Sequence, residues 1–173
     1  MQEIYAKYSM PDGNGDKGTA HSYIDNYYSK KFAPYRNQPI TFLEIGISWG
    51  LSINMWREYF TQAEIIGVDI HDQGAKCPGC TLVYADGTKA ETYKDMPDFD
   101  IIIDDGSHEI DQQVESFKIL YPKLKKGGLY VIEDVPELDR YRDRILGLHK
   151  NVEIYDFRNI KGRIDDVIIE IVK

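Results

Sequence analysis

FLEIGISWGLSINMWREYF, residues 42–60, changes its hydrophobic period halfway along. Phe42, Leu43 and Ile45 form an apolar run broken by Glu44, too continuous for a sheet with one wet face. Beyond Gly50 the apolar positions become Leu51, Ile53, Met55, Trp56, Tyr59 and Phe60, the spacing of a helix with one buried face. Between these segments Gly46, Ser48 and Gly50 form a turn where backbone approaches a ligand closely. The spacing from Glu44 is ExGxxxG, unlike the GxGxxG of a dinucleotide site, and no lysine follows the glycines as in a phosphate-binding loop.

Outward from this turn the same alternation repeats. PITFLEIGI (39–47), AEIIGVDI (63–70), TLVYADG (81–87), DFDIIIDDGS (98–107) and GGLYVIEDV (127–135) read as buried strands. QQVESFKILYPKL (112–124) and LDRYRDRILGLHK (138–150) read as helices, and Thr19–Arg36 as an amphipathic helix built on Tyr23, Ile24, Tyr27 and Tyr28. The last strands, VEIYDFRN (152–159) and DDVIIEIVK (165–173), are joined through Lys161 and Gly162 without a helix and must be antiparallel. The pattern predicts an α/β fold: a Rossmann-like, seven-stranded, mostly parallel sheet with an antiparallel last strand and helices on both faces. Residues 1–18, polar and glycine-rich in PDGNGDKG (11–18), are expected to be an N-terminal arm, and 19–173 one domain.

With 173 residues, 42% apolar and 29% charged, the chain has enough material for one substantial core. A net charge of −8 argues against a broad grip on nucleic acid. No apolar run is long enough to span a membrane, and no leader or lipidation signal is recognised, so a cytoplasmic protein is expected. Cys77 and Cys80, in KCPGC, lack the second pair that a four-cysteine zinc site needs and read as a plain turn.

The candidate site residues all fall at strand ends, where open parallel sheets bind ligands. Asp69 ends the second strand, at the distance from the turn where an acid accepts ribose hydroxyls. Asp86 ends the third, within reach of an adenine amine. A nucleoside pocket lined by acids, without a phosphate-binding loop, suits a ligand carrying positive charge such as S-adenosylmethionine (SAM). DDGSH then supplies Asp104, Asp105 and His108, and IED supplies Glu133 and Asp134. Carboxylates converging there repel unless a cation sits among them, and oxygen donors favour Mg²⁺ or another hard divalent cation. His108 would stand beside that cation, able to take a proton near neutral pH.

At DDGSH, GGLYVIEDV, DKGTAHSYIDNYYSKKFAPYR (16–36) and the opening stretch, the chain resembles class I SAM-dependent methyltransferases. Within that class it resembles the metal-dependent sugar O-methyltransferases of macrolide biosynthesis. The resemblance implies a methyltransferase sheet, Mg²⁺ ligands at Asp105, Glu133 and Asp134, and His108 as general base. It implies SAM contacts at Glu44, Gly46, Ser48, Gly50, Asp69, Asp86 and Asp104. DKGTAHSY resembles a segment closing over the active site, which makes Lys17, Thr19, His21 and Tyr23 further candidates for a lid or for substrate contact. HDQGAKCPGC (71–80) leaves little room for the helix usual between the second and third strands.

The implied activity is methyl transfer to a hydroxyl of a sugar or glycosylated small molecule. The partner is then a small-molecule or glycan acceptor rather than nucleic acid or membrane; a homo-oligomer is compatible. A catechol-type O-methyltransferase and a non-catalytic SAM- or nucleoside-binding subunit are the competing readings.

Overall fold

The computed structural model describes residues 1–9 and 15–173; residues 10–14, which include the first four of PDGNGDKG, lie outside the described residues. Seven strands form one sheet: β1 (Thr41–Ile45), β2 (Glu64–Asp69), β3 (Cys80–Tyr84), β4 (Phe99–Asp104), β5 (Leu124–Ile132), β6 (Val152–Asp156) and β7 (Val167–Val172). Their order is β3-β2-β1-β4-β5-β7-β6. β7 runs antiparallel to both β5 and β6, and every other pairing is parallel. The chain reverses its direction across the sheet between β1 and β4, and the loops after these strands open the crevice there.

Alternation along each strand divides the core into two layers. Phe42, Ile101, Ile103 and Val131 face one side, with α3 (Leu51–Tyr59) laid against them through Ile53, Met55, Trp56 and Tyr59. Aromatic rings dominate this layer: Phe32, Phe42, Trp56 and Phe60 all pack with centroids 5.3–6.4 Å apart. Leu43, Ile102, Tyr130 and Ile169 face the other side, under α4 (Ile110–Leu120) and α5 (Leu138–Leu146).

Three segments differ from the sequence expectation. The stretch read as an N-terminal arm contains a helix, α1 (Gln2–Tyr8), whose Ile4 and Tyr5 join the aromatic layer. The single helix expected over Thr19–Arg36 is instead a π-helical turn at Ile24–Tyr28, α2 (Ser29–Lys31) and a 3₁₀ turn at Ala33–Tyr35. An i→i+5 turn puts residues four and five apart on one side. That gives Tyr23, Tyr27 and Tyr28 a shared inward direction, and all three are fully buried. At Cys77 and Cys80 the expected turn is present, Cys80 N–H donating to the Cys77 carbonyl at 3.0 Å. The two sulfurs are joined as a disulfide, Cα atoms 5.3 Å apart, a bond the spacing alone did not reveal.

The segment between β2 and β3 carries no helix, as its length predicts. The link between β6 and β7, expected to hold none, contains the single turn α6 (Arg158–Lys161) before Gly162, too short to act as a crossover. Among the described residues, no helix is long and apolar enough to cross a membrane.

Candidate functional site

The strand ends are laced together by backbone hydrogen bonds. Gly46 N–H donates to the Val68 carbonyl at 2.8 Å, Asp105 N–H to Ile45 at 2.9 Å, and Glu133 N–H to Asp104 at 2.9 Å. Gly46 therefore sits between β2 and the loop after β4. Its φ is +84°, and a Cβ added there would overlap the carbonyl of Asp105. Three non-glycine residues of the same region, Ser48, His108 and Asp134, also have positive φ. Strain of this kind persists where the surroundings over-determine it.

Over these ends lies a cleft of about 450 Å³. Gly46, Ser48 and Asp69 line one wall, and Asp105, His108 and Asp134 another. A smaller hollow of about 160 Å³ continues past Asp69, lined by Asp86, Thr88, Asp104 and Ser116 among others. The Asp69 carboxylate accepts from the amides of Ile47 (3.0 Å), Ser48 (2.8 Å) and His71 (2.9 Å). Asp86 accepts from both the amide and the hydroxyl of Thr88, which hold its carboxyl below the usual range. Exposed Trp49 and Ile70 border the mouth.

Two of the residues expected at the cofactor turn do not line this cleft. Glu44 points into the aromatic layer, fully buried, accepting from Trp56 Nε1 and Ser52 Oγ at 2.9 Å each. Desolvation, opposed by Lys17, pushes its carboxyl up to about 7. Alternation explains the placement, since Glu44 shares the face of Phe42. Gly50, with φ +86°, starts α3.

The acids after β4 and β5 meet at the other wall, together with the N-terminal segment. Lys17 Nζ lies 2.6 Å from both Asp105 Oδ2 and Glu133 Oε2, and 3.7 Å from Glu44 Oε1. Its side chain is 3% exposed. Burial alone would strip its proton, but Asp105, Glu133 and Glu44 outweigh that and raise its pKa well above the usual value. Glu133 accepts with its other oxygen from the Tyr28 hydroxyl. Asp134 Oδ1 accepts from Tyr23 at 2.6 Å and lies 3.2 Å from His21 Nδ1. Burial lifts Asp134, to about 6.

His108 Nε2 is 3.2 Å from Asp105 Oδ1 and 3.8 Å from Asp134 Oδ2. Burial works against its charge, yet Asp105 wins and raises it to about 9. Asp105 in turn resists desolvation through Lys17 and His108, which hold its carboxyl below the usual range. Asp104, behind them, is buried and pushed up to about 7 by desolvation.

Asp105, His108 and Asp134 thus offer three ligand atoms within 4.8 Å of one another, a donor set that fits a divalent cation. A second such group is Asp16, His21 and Asp134. Among the described residues Glu133 joins neither group. Thr19 is held away from the cleft, its amide donating to Tyr5 OH at 2.8 Å. Sequence reasoning placed Tyr28 only on the amphipathic helix, and passed over Asp166, which accepts from Ser22 N–H at 2.9 Å and Ser22 Oγ at 2.8 Å. Both act across more than a hundred residues of chain, where no local spacing signals them.

The sheet order, the helices on both faces and the crevice at the β1–β4 reversal define the class I methyltransferase fold. No family model matches the chain. Among curated proteins it is 38% identical over 132 residues to the 8-demethyl-8-alpha-L-rhamnosyl tetracenomycin-C 2'-O-methyltransferase of Streptomyces olivaceus, covering 69% of this chain and 35% of the relative. It is 36% identical over 147 residues to the demethylmacrocin O-methyltransferase of Streptomyces fradiae, covering 78% and 36%. Among solved structures it is similar to the MycE methyltransferase of the mycinamycin biosynthetic pathway in complex with Mg and SAH. That match has a TM-score of 0.74 and 26% identity, over 99% of this chain and 53% of the other. Over most of its own length the chain is thus similar to these O-methyltransferases, and it spans about a third of the length of the curated relatives it matches.

Proposed function

We propose that this chain is the methyl-transferring domain of a SAM-dependent O-methyltransferase, assisted by a divalent cation and acting on a hydroxyl of a sugar or glycosylated small molecule. One observation carries the reading: the glycine turn with Asp69 and the group Asp105–His108–Asp134 are two walls of a single cleft. The hollow beyond Asp69, with Asp86 at its edge, suits an adenine, and Asp69 stands where a ribose would lie. The sulfonium then faces the acids. Relatives that methylate sugar hydroxyls, and a structural neighbour that holds Mg and SAH, support the same assignment.

The residues that would hold the cation are Asp105 and Asp134. Bound there, it would neutralise the charge that keeps His108 protonated and polarise an acceptor hydroxyl. The protein's own residues do the rest. His108 Nε2 accepts the hydroxyl proton as the oxygen attacks the methyl carbon. The carbon–sulfur bond breaks with its electron pair going to sulfur, leaving the neutral thioether. Positioning supplies much of the acceleration, since no covalent intermediate with the protein forms. Trp49, 61% exposed at the mouth, offers an aromatic face to a sugar ring.

Calorimetric titration with SAM tests the reading. Wild-type protein should bind it, and Asp69→Ala should bind at least about tenfold more weakly, a difference of roughly 1.4 kcal/mol. Absence of SAM binding by the wild-type chain would overturn it. SAM binding without methylation of any sugar acceptor, with and without Mg²⁺, would leave a binding subunit instead.

A further inference from the structure

The acid wall already contains a cation, and it belongs to the chain. Lys17 Nζ stands between Asp105 and Glu133, its side chain 3% exposed at the edge of the cleft, with Glu44 as a third carboxylate nearby. Glu133 is 1% exposed, and both of its oxygens are taken, one by Lys17 and the other by the Tyr28 hydroxyl. Asp105 is divided differently: Oδ2 faces Lys17, while Oδ1 faces His108. Asp134 presents Oδ2 toward His108.

Lys17 is also fixed through its backbone. Its carbonyl accepts from Tyr23 N–H at 3.0 Å and Ile24 N–H at 3.2 Å. The carbonyls that follow, of Gly18, Thr19 and His21, accept from Lys161 Nζ at 2.7, 2.9 and 2.5 Å. Withdrawing the ammonium would break this clamp and leave Glu133 buried with an uncompensated charge, the costly way to open a buried ion pair.

We propose that Lys17 is a resident cation: it keeps Glu133 and one oxygen of Asp105 for itself, and confines a divalent cation to the Asp105–Asp134 edge beside His108. The proposal rests on the metal-assisted reading above and narrows it. Glu133, expected from sequence to ligate the metal, becomes the counter-ion of a lysine, and the DKG segment becomes part of the site's charge balance. Lys17 is a positioning residue, acting on the cation through the carboxylates it occupies. A divalent ion carries twice its charge, so removing Lys17 should make the vacated carboxylates a stronger divalent site.

Mn²⁺ binding to the full chain, followed by electron paramagnetic resonance with SAH present, tests this. Glu133→Gln should bind Mn²⁺ within about threefold of wild type, whereas Asp134→Asn should lose at least about tenfold. Lys17→Met should bind at least several-fold more tightly, with circular dichroism confirming that it folds. Equal losses in Glu133→Gln and Asp134→Asn would overturn the proposal, and so would unchanged or weaker binding in folded Lys17→Met. If wild type takes up no Mn²⁺ at all, the metal-assisted reading fails separately. Mn²⁺ uptake gained by Lys17→Met would then still support the resident cation, and none in either protein would end it.

Discussion

The donor cleft and the acid wall stand at the same end of the same sheet, yet they are held by opposite means. On the donor side the partners lie nearer in sequence: Asp86 is held by Thr88 two residues on, and Asp69 by His71 and by the amides of Ile47 and Ser48, 22 and 21 residues back on the turn after β1. On the acid side almost every partner comes from the N-terminal segment. Lys17 reaches Asp105 and Glu133, Tyr28 reaches Glu133, and Tyr23 reaches Asp134, separations of 88 to 116 residues. A local arrangement is set once its turn forms; a distant one depends on the docking of a separate piece of chain. The donor side should therefore tolerate loss of that piece, and the acid side should not.

The largest effect is expected where the two regions touch. Gly46→Ala forces a left-handed backbone onto a residue with a Cβ and drives that Cβ into the Asp105 carbonyl. Strain and overlap together should cost about 2–5 kcal/mol in chemical denaturation and abolish SAM binding as well. A variant with wild-type stability would show that the walls are not rigidly joined.

Next comes Asp166→Ala, which strips the Ser22 amide and hydroxyl of their buried acceptor. A loss of about 1–3 kcal/mol is expected, with faster amide exchange over residues 17–28. SAM affinity should stay within about twofold. A parallel fall in SAM affinity would break the contrast drawn above.

Tyr28→Phe removes one hydroxyl from Glu133 and should cost about 1 kcal/mol or somewhat more, because the carboxylate it leaves is buried. Trp49→Ala should be smallest in stability, within about 0.5 kcal/mol, since the ring is largely exposed. Its effect should appear instead in the KM for a sugar acceptor.

The same contrast explains what could be read from the sequence. β1, the glycine turn and α3 announce themselves through a change of period within residues 42–60. The antiparallel β6–β7 pair follows from a link too short for a crossover; the single turn α6 within it was not legible. Asp69, Asp86, Asp105 and His108 could be placed at strand ends from the sequence, and all four line the cleft or the hollow beside it. The orientation of Glu44 was not legible beside the turn: alternation turns it into the core, where Trp56 and Ser52 hold it. Tyr23, Tyr27 and Tyr28 looked like one stripe of an ordinary helix. Their hydroxyls instead end on Asp134, Glu170 and Glu133, and the widened turn that aims them is dictated by those distant acids.

Lys161, on the link between the last two strands, grips three carbonyls of the segment that carries Lys17. Ribosomes make proteins from the N-terminus at about 5–20 residues per second. The donor turn is complete on the growing chain long before the C-terminal hairpin emerges. Lys17 is made first among the acid-wall residues but gains its anchor only when that hairpin has folded. On a growing chain the glycine turn and Asp69 would thus be in place before the acid wall, which is set only once the β6–β7 hairpin folds and Lys161 grips the segment carrying Lys17.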